Sequence, residues 1–130
     1  MFVTDTHPLV YQIARKYTRF GKRARKLFED ADQGRTVIYV PSCVLWEVAD
    51  RVKDGTLVLP QRFDYWCRSL NASAGFIIEP LHWEDVNEAR SFPFSDPFDC
   101  LIAGTATRLG LPLITRDLNI VESGMVETVW

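Results

Sequence analysis

Four carboxylates stand out in this chain: Asp5, Glu47, Asp99 and Asp117. Asp5 follows the apolar, β-branched run Phe2-Val3-Thr4, and Asp117 comes directly after Leu113-Ile114-Thr115-Arg116. Each sits where a strand hands over to a helix. Glu47 lies inside Val44-Leu45-Trp46-Glu47-Val48, an apolar setting in which a lone acid would be poorly placed. Asp99 falls in the early turns of a helix that follows a proline-broken loop. Singly, Asp5 and Asp117 read as caps or turn residues and Asp99 as a complement to a helix dipole. Together they point to chemistry, because ligands of open parallel sheets bind beyond the carboxyl ends of the strands. Two carboxylates about 4 Å apart repel by about 4 kcal/mol at an effective dielectric of about 20. A divalent cation removes that conflict. Hard oxygen donors without a supporting histidine or thiolate favour Mg2+ or Mn2+ over zinc. A carboxylate-held metal with water as nucleophile is the usual machinery for cutting a phosphodiester.

The elements that must position these acids follow from the hydrophobic pattern. A strand over residues 2–4 delivers Asp5, and Thr6 with Pro8 reads as the cap and first turn of a helix. From Thr18 onward the chain is helical and basic, with Ala24, Leu27, Phe28 and Ala31 on one side and Gly34 as its end. Residues 36–40 form a buried strand, and Ser42 reads as the cap of a helix carrying Val44, Leu45, Val48 and Val52 until Asp54-Gly55. Pro60 opens another helix, with Phe63, Trp66, Cys67 and Leu70 as its inward stripe. A strand over 76–80 and a short helix over 83–89 come next. Residues 92–97 hold two prolines and read as a loop, followed by an Ala-rich helix over 98–109 ended by Gly110. A strand over 112–115, a helical turn over 117–121 and a last strand over 126–129 complete the chain. Strands alternating with helices predict a parallel sheet covered on both faces, joined by right-handed crossovers.

The length of 130 residues predicts a single domain, 1–130. A net charge of −2 argues against a protein that grips long duplex nucleic acid through a whole basic surface, but it leaves room for a nuclease with an acidic site. Cys43, Cys67 and Cys100 are scattered, odd in number and without a CxxC pair, so they read as reduced, buried thiols of a cytoplasmic protein rather than a zinc site. The N-terminus lacks the pattern of a secretion signal, and no apolar run approaches the roughly 20 residues of a membrane span.

The same residues carry a resemblance over nearly the whole chain. Val3-Thr4-Asp5-Thr6-His7, the Ser42-to-Glu47 spacing, Asp96-Pro97-Phe98-Asp99-Cys100-Leu101-Ile102-Ala103, Leu111-Pro112-Leu113-Ile114-Thr115-Arg116-Asp117 and the final Val129-Trp130 occur in the order of PIN-domain proteins. The chain resembles the VapC-type toxins of toxin–antitoxin pairs. That resemblance implies a three-layer α/β/α fold with a central, mainly parallel sheet, a Mg2+ or Mn2+ site and endoribonuclease activity. It also implies a homodimer and a cognate antitoxin that docks near the active site. Carried over by position, Asp5, Glu47 and Asp99 are core metal-site acids and Asp117 a more variable fourth, while Asp96 either assists or caps its helix. Thr6 and Thr115 either hydrogen-bond the acids or a water, or act as ordinary caps, the second being preferred. The chain departs from many relatives in having Phe94-Ser95 where they place a histidine and Cys100 where they place an arginine.

The acids alone would repel RNA. The basic cluster Arg15, Lys16, Arg19, Lys22, Arg23, Arg25 and Lys26 is the candidate RNA-facing patch, with Arg116 as a second phosphate contact. Trp46, Trp66, Phe63, Tyr11 and Tyr17 read as core rather than as stacking platforms. A competing reading is a catalytically silent PIN-fold module that acts by binding protein, against which retention of all four acids argues. An aspartyl phosphotransfer enzyme would want an Asp-x-Asp pair after the first strand, which Thr6-His7 does not supply. Nothing in the residues separates RNA from DNA; only the resemblance does.

Overall fold

Val3, Ile38, Val40, Leu113 and Ile114, on three strands, have no exposed surface, and this sets the architecture. The computed structural model describes residues 1–130. Strand β1 (Phe2–Thr4) lies at the centre of a five-stranded sheet of order β3-β2-β1-β4-β5, with β2 Ile38–Pro41, β3 Phe76–Glu79, β4 Leu113–Ile114 and β5 Thr128–Val129. Every pairing is parallel, and Val3 stands opposite both Tyr39 and Leu113. Parallel strands need both faces covered, which explains why β1, β2 and β4 are near-continuous apolar runs. The cover comes from α1 (Thr6–Ile13), α2 (Lys22–Asp32), α3 (Ser42–Lys53), α4 (Phe63–Ala72), α5 (Trp83–Ala89), α6 (Pro97–Leu109) and α7 (Leu118–Ser123). The expected α/β class with a central parallel sheet is therefore correct. No helix is long and apolar enough to cross a membrane.

The strand order reverses beside β1: the chain moves outward through β2 and β3, then returns to lay β4 against β1's other edge. Such a reversal opens a crevice at the carboxyl ends of the two strands. Asp5 and Asp117 follow β1 and β4, so topology alone brings them to that crevice.

Local expectations fail at three helix starts. The basic helix expected from Thr18 is a 3₁₀ turn, Tyr17–Arg19, then a break at Phe20-Gly21, then α2. Gly21 is pressed against Trp130, where a Cβ would clash with the indole. Ser42 does not cap α3: Pro41 holds the cap position, and the Ser42 hydroxyl instead accepts from the Leu81 N–H at 3.1 Å. The helix expected from Pro60 begins only at Phe63, because Arg62 is still extended, with ψ 147°.

One buried ion cluster locks α5 and α6 to the sheet. Asp85 is 0 % exposed and accepts from the His82 N–H at 2.8 Å and from the Arg108 guanidinium, which also reaches Glu79 at 2.6 Å. Gly104 allows the two helices to come this close, since a Cβ there would run into the Asp85 carbonyl. Removing one member of a buried pair strands the other's charge. Asp85→Ala is expected to lower stability by about 3 kcal/mol in urea unfolding, whereas Arg35→Ala, which breaks the exposed pair with Asp30, should change the unfolding midpoint far less. Equal losses in the two variants would contradict this assignment.

Candidate active site

Asp5 leaves β1 with its backbone still in the sheet, its N–H donating to the Ile114 carbonyl at 3.0 Å. Its side chain then turns back to cap α1, with Oδ1 accepting from the Thr6 N–H at 2.7 Å. Oδ2 accepts from the Thr115 hydroxyl, also at 2.7 Å. Thr115 follows β4 and its Oγ1 in turn accepts from the Asp117 N–H at 3.0 Å. Asp117 caps α7 through the N–H groups of Asn119 and Ile120. On the other side, the Thr6 hydroxyl donates to Glu47 Oε1 at 2.9 Å, joining α1 to α3. Ordinary capping by Thr6 and Thr115, the preferred expectation, is therefore wrong. Asp5 takes the cap position, and both hydroxyls hold acids instead. Asp96 does cap its helix, accepting from the Phe98 N–H at 2.8 Å.

Asp99 sits in the first turn of α6 and shares the electrostatic neighbourhood of the other four acids. Burial, then the charges of Asp5, Asp96, Asp117 and Glu47, push its carboxyl up to about 7. Glu47 is raised by burial and by Asp5 and Asp96, against the Thr6 hydroxyl and Arg51, which pull it down. Asp5, 4 % exposed, is raised mainly by burial although Thr115, Thr6 and His7 oppose this. The five acids thus share one edge of the sheet. As they stand, no three His, Cys, Asp or Glu side chains are grouped closely enough to hold a metal ion.

Two clefts open here. One of about 250 Å³ runs along α3 and is lined by Trp46, Glu47, Arg51 and Phe98 among others. The larger, about 800 Å³, is lined by Asp5 and Asp117 together with Lys16, Arg19, Arg51 and Arg116. The Arg116 guanidinium makes no ion pair with the acids; it lies 5.4 Å from the centre of the Tyr11 ring and 5.9 Å from that of Trp130. Of the basic cluster, Lys16 and Arg19 face the cleft, while Arg25 and Lys26 pair along α2 with Glu29 and Asp30. Arg51 was missed from sequence, yet it lies four residues after Glu47 and so on the same helix face. The expectation that Trp46 is core is also wrong: it is 63 % exposed, whereas Tyr11 and Trp66 are buried as expected. Phe63 and Tyr17, 37 % and 40 % exposed, also depart from the core expectation. The three cysteines are free.

A parallel sheet with clustered acids at its switch point defines a class, and the comparisons agree on it. The PIN domain family matches residues 2–123, and the chain belongs to that family. In structure it is similar to VapBC2 from Rickettsia felis bound to a promoter DNA fragment, at 14% identity and TM-score 0.69, with 98% of this chain and 96% of that one covered. It is also similar to a toxin–antitoxin complex from Klebsiella pneumoniae, at 16% identity and TM-score 0.63, covering 100% of this chain and 97% of that one. A third similar structure is FitAcB from Neisseria gonorrhoeae, at 18% identity and TM-score 0.64, with 100% and 97% covered. No curated protein matches in sequence.

The crowding of Asp99 has a consequence for stability. An unfolded aspartate titrates near 3.8 and folded Asp99 near 7, so between these values the folded chain holds a proton that the unfolded chain has lost. The favourable contribution is present below the lower value and disappears as pH rises through the higher one. Asp99→Asn in EDTA is therefore expected to melt a few degrees above wild type at pH 8 and level with it at pH 4. Because Asp99 is half-buried, the gain is on the order of 1 kcal/mol after solvent screening. A gain independent of pH in thermal melts would show that charge crowding is not its source.

Proposed function

We propose that this chain is a Mg2+- or Mn2+-dependent endoribonuclease acting as the toxin of a toxin–antitoxin pair. PIN domains are generally nucleases, and the observation that carries the reading is the convergence of Asp5, Glu47, Asp96 and Asp117 around Asp99, whose carboxyl burial and their charges push up. Their donor chemistry fits a hard divalent cation, since all are carboxylates. Asp5, Glu47, Asp99 and Asp117 would hold the ion, with Asp96 beside them. When bound, such an ion supplies a nucleophile at neutral pH and offsets charge on the scissile phosphate.

The chain's own residues set the geometry. Thr115 and the Thr6 N–H fix both oxygens of Asp5, so that carboxylate cannot swing away. Thr6 engages Oε1 of Glu47 and leaves Oε2 for a water, which a carboxylate so placed orients or deprotonates. Similarity to toxin–antitoxin structures supports an antitoxin as partner, and RNA as substrate rests on the resemblance to VapC-type toxins. Homodimerisation and a cytoplasmic location belong to the same proposal.

The test is incubation of a mixed RNA pool, and of DNA strands of the same sequences, with Mg2+, Mn2+ or EDTA. Wild type is expected to cut RNA in a metal-dependent manner. Asp99→Asn should be slower by roughly 100-fold or more, since loss of even an outer partner of a metal ligand costs 10–100-fold. Mn2+ should also raise the melting temperature of wild type but not of the variant. Equal, EDTA-resistant cutting by both proteins would remove the proposed site, and absence of any cutting would leave a protein-binding module.

A further inference from the structure

The larger cleft holds two acids of the site and four cations, Lys16, Arg19, Arg51 and Arg116, none of which forms an ion pair. Among the other cations, Arg25, Lys26, Arg35, Arg62 and Arg108 pair with carboxylates, and what sets the cleft four apart is that they gather on one concave surface beside the acids. Positive charge gathered in a concave cleft without a carboxylate partner is free to take an anion from outside the chain. The arginines are also held in place. Tyr11 is 5 % exposed and carries two guanidiniums, Arg116 at 5.4 Å and Arg19 at 5.9 Å from its ring centre. Trp130, which packs edge-on against Tyr11 and stacks on Phe20, backs Arg116 from its own ring. A guanidinium lying against an aromatic ring keeps its N–H groups at the edge, where they form the fork that matches two phosphate oxygens.

We propose that Arg116 and Arg19, seated on Tyr11, form with Lys16 and Arg51 a phosphate track that holds the backbone of single-stranded RNA beside the acids. This rests on the nuclease reading above and names how that site takes its substrate. Guanidiniums lie against the Tyr11 ring, so bases do not stack there, and the track contributes affinity without sequence preference. A cleft of about 800 Å³ is of the size that takes small ligands, which suits a flexible strand and not a duplex. A net charge of −2 likewise leaves no broad basic surface for a duplex to lie on.

The experiment measures fluorescence anisotropy of a labelled single-stranded RNA oligonucleotide across a salt series, in EDTA so that the strand stays whole. Arg116→Ala and Arg19→Ala are each expected to weaken binding about tenfold at low salt and to reduce the log–log salt slope by about 0.7, the value for one phosphate contact on a single strand. Arg116→Lys should keep the slope and lose part of the affinity. Arg25→Ala, already paired with Glu29, should bind as wild type does. Unchanged affinity and slope in both cleft variants would overturn the proposal, as would an equal loss in Arg25→Ala or equally tight binding of an RNA duplex. The Mn2+-induced rise in melting temperature separates the two readings. If it persists in Arg116→Ala while RNA affinity falls, the track is distinct from the acids. If wild type lacks the rise yet binds RNA as stated, the metal-nuclease reading fails and the track stands.

Discussion

Asp5 is a buried carboxylate with a hydrogen bond on each oxygen, and the arrangement around it depends on that fact. Burial of the charged form is unfavourable, and bonds from the Thr6 N–H and the Thr115 hydroxyl, of a type worth about 1.5–3 kcal/mol each when the acceptor is charged, offset it only in part. Its carboxyl therefore still titrates above the ordinary range. The residue remains in place because a continuous chain of bonds passes through it. The Asp117 N–H donates to Thr115, Thr115 to Asp5, Asp5 accepts from Thr6, and Thr6 donates to Glu47. That chain ties β1 and β4 to α1, α3 and α7. A single buried side chain thus works as a helix cap, a bridge between the chain segments after two strands, and a member of the acidic cluster.

The charges of the molecule divide into two populations with different physics. At the α5–α6 junction Arg108 is enclosed by Asp85 and Glu79, and the cluster's role is to register two helices on the end of β3. At the carboxyl edge of the sheet the acids outnumber their close partners. Only hydroxyls and backbone N–H groups bond Asp5 and Glu47, and Arg51 acts on Glu47 through space. A neutral donor fixes a carboxylate's direction without cancelling its charge. The cation proposed above would complete that balance from outside the chain.

Much of this was legible in the sequence because the informative residues are backbone-determined. The strands around Val3, Ile38 and Leu113 are β-branched or apolar runs buried on both faces, and α5 over 83–89 was read with its observed limits. The acids were legible because Asp5 and Asp117 sit directly behind strands, and topology then does the rest. What failed was tertiary. Ser42 has the right composition for a cap, but its hydroxyl is taken by the Leu81 N–H, thirty-nine residues away in sequence. Thr6 and Thr115 read as caps because capping is a local property, whereas the acids they donate to lie across the fold, 41 and 110 residues away in sequence. Trp46 sits in an apolar stretch yet projects to solvent beside Glu47, since one face of a surface helix must be outside whatever its residue types.

Arg116 shows why sequence adjacency is a poor guide to charge pairing. It precedes Asp117 directly, so an ion pair is the first expectation, yet its guanidinium rests on Tyr11 and Trp130. An exposed ion pair contributes about 0–1 kcal/mol, and an exposed cation–π contact about 0.5–1 kcal/mol, so neither wins on strength alone. The difference lies in the partner. Tyr11 is rigid and buried, and two rings face the same guanidinium, so seating it there costs little further order. Asp117 is meanwhile oriented by the two N–H groups that open α7, both of which donate to its Oδ1. The aromatic seat and the helix cap together keep two opposite charges apart, and each remains available to a group from outside the chain.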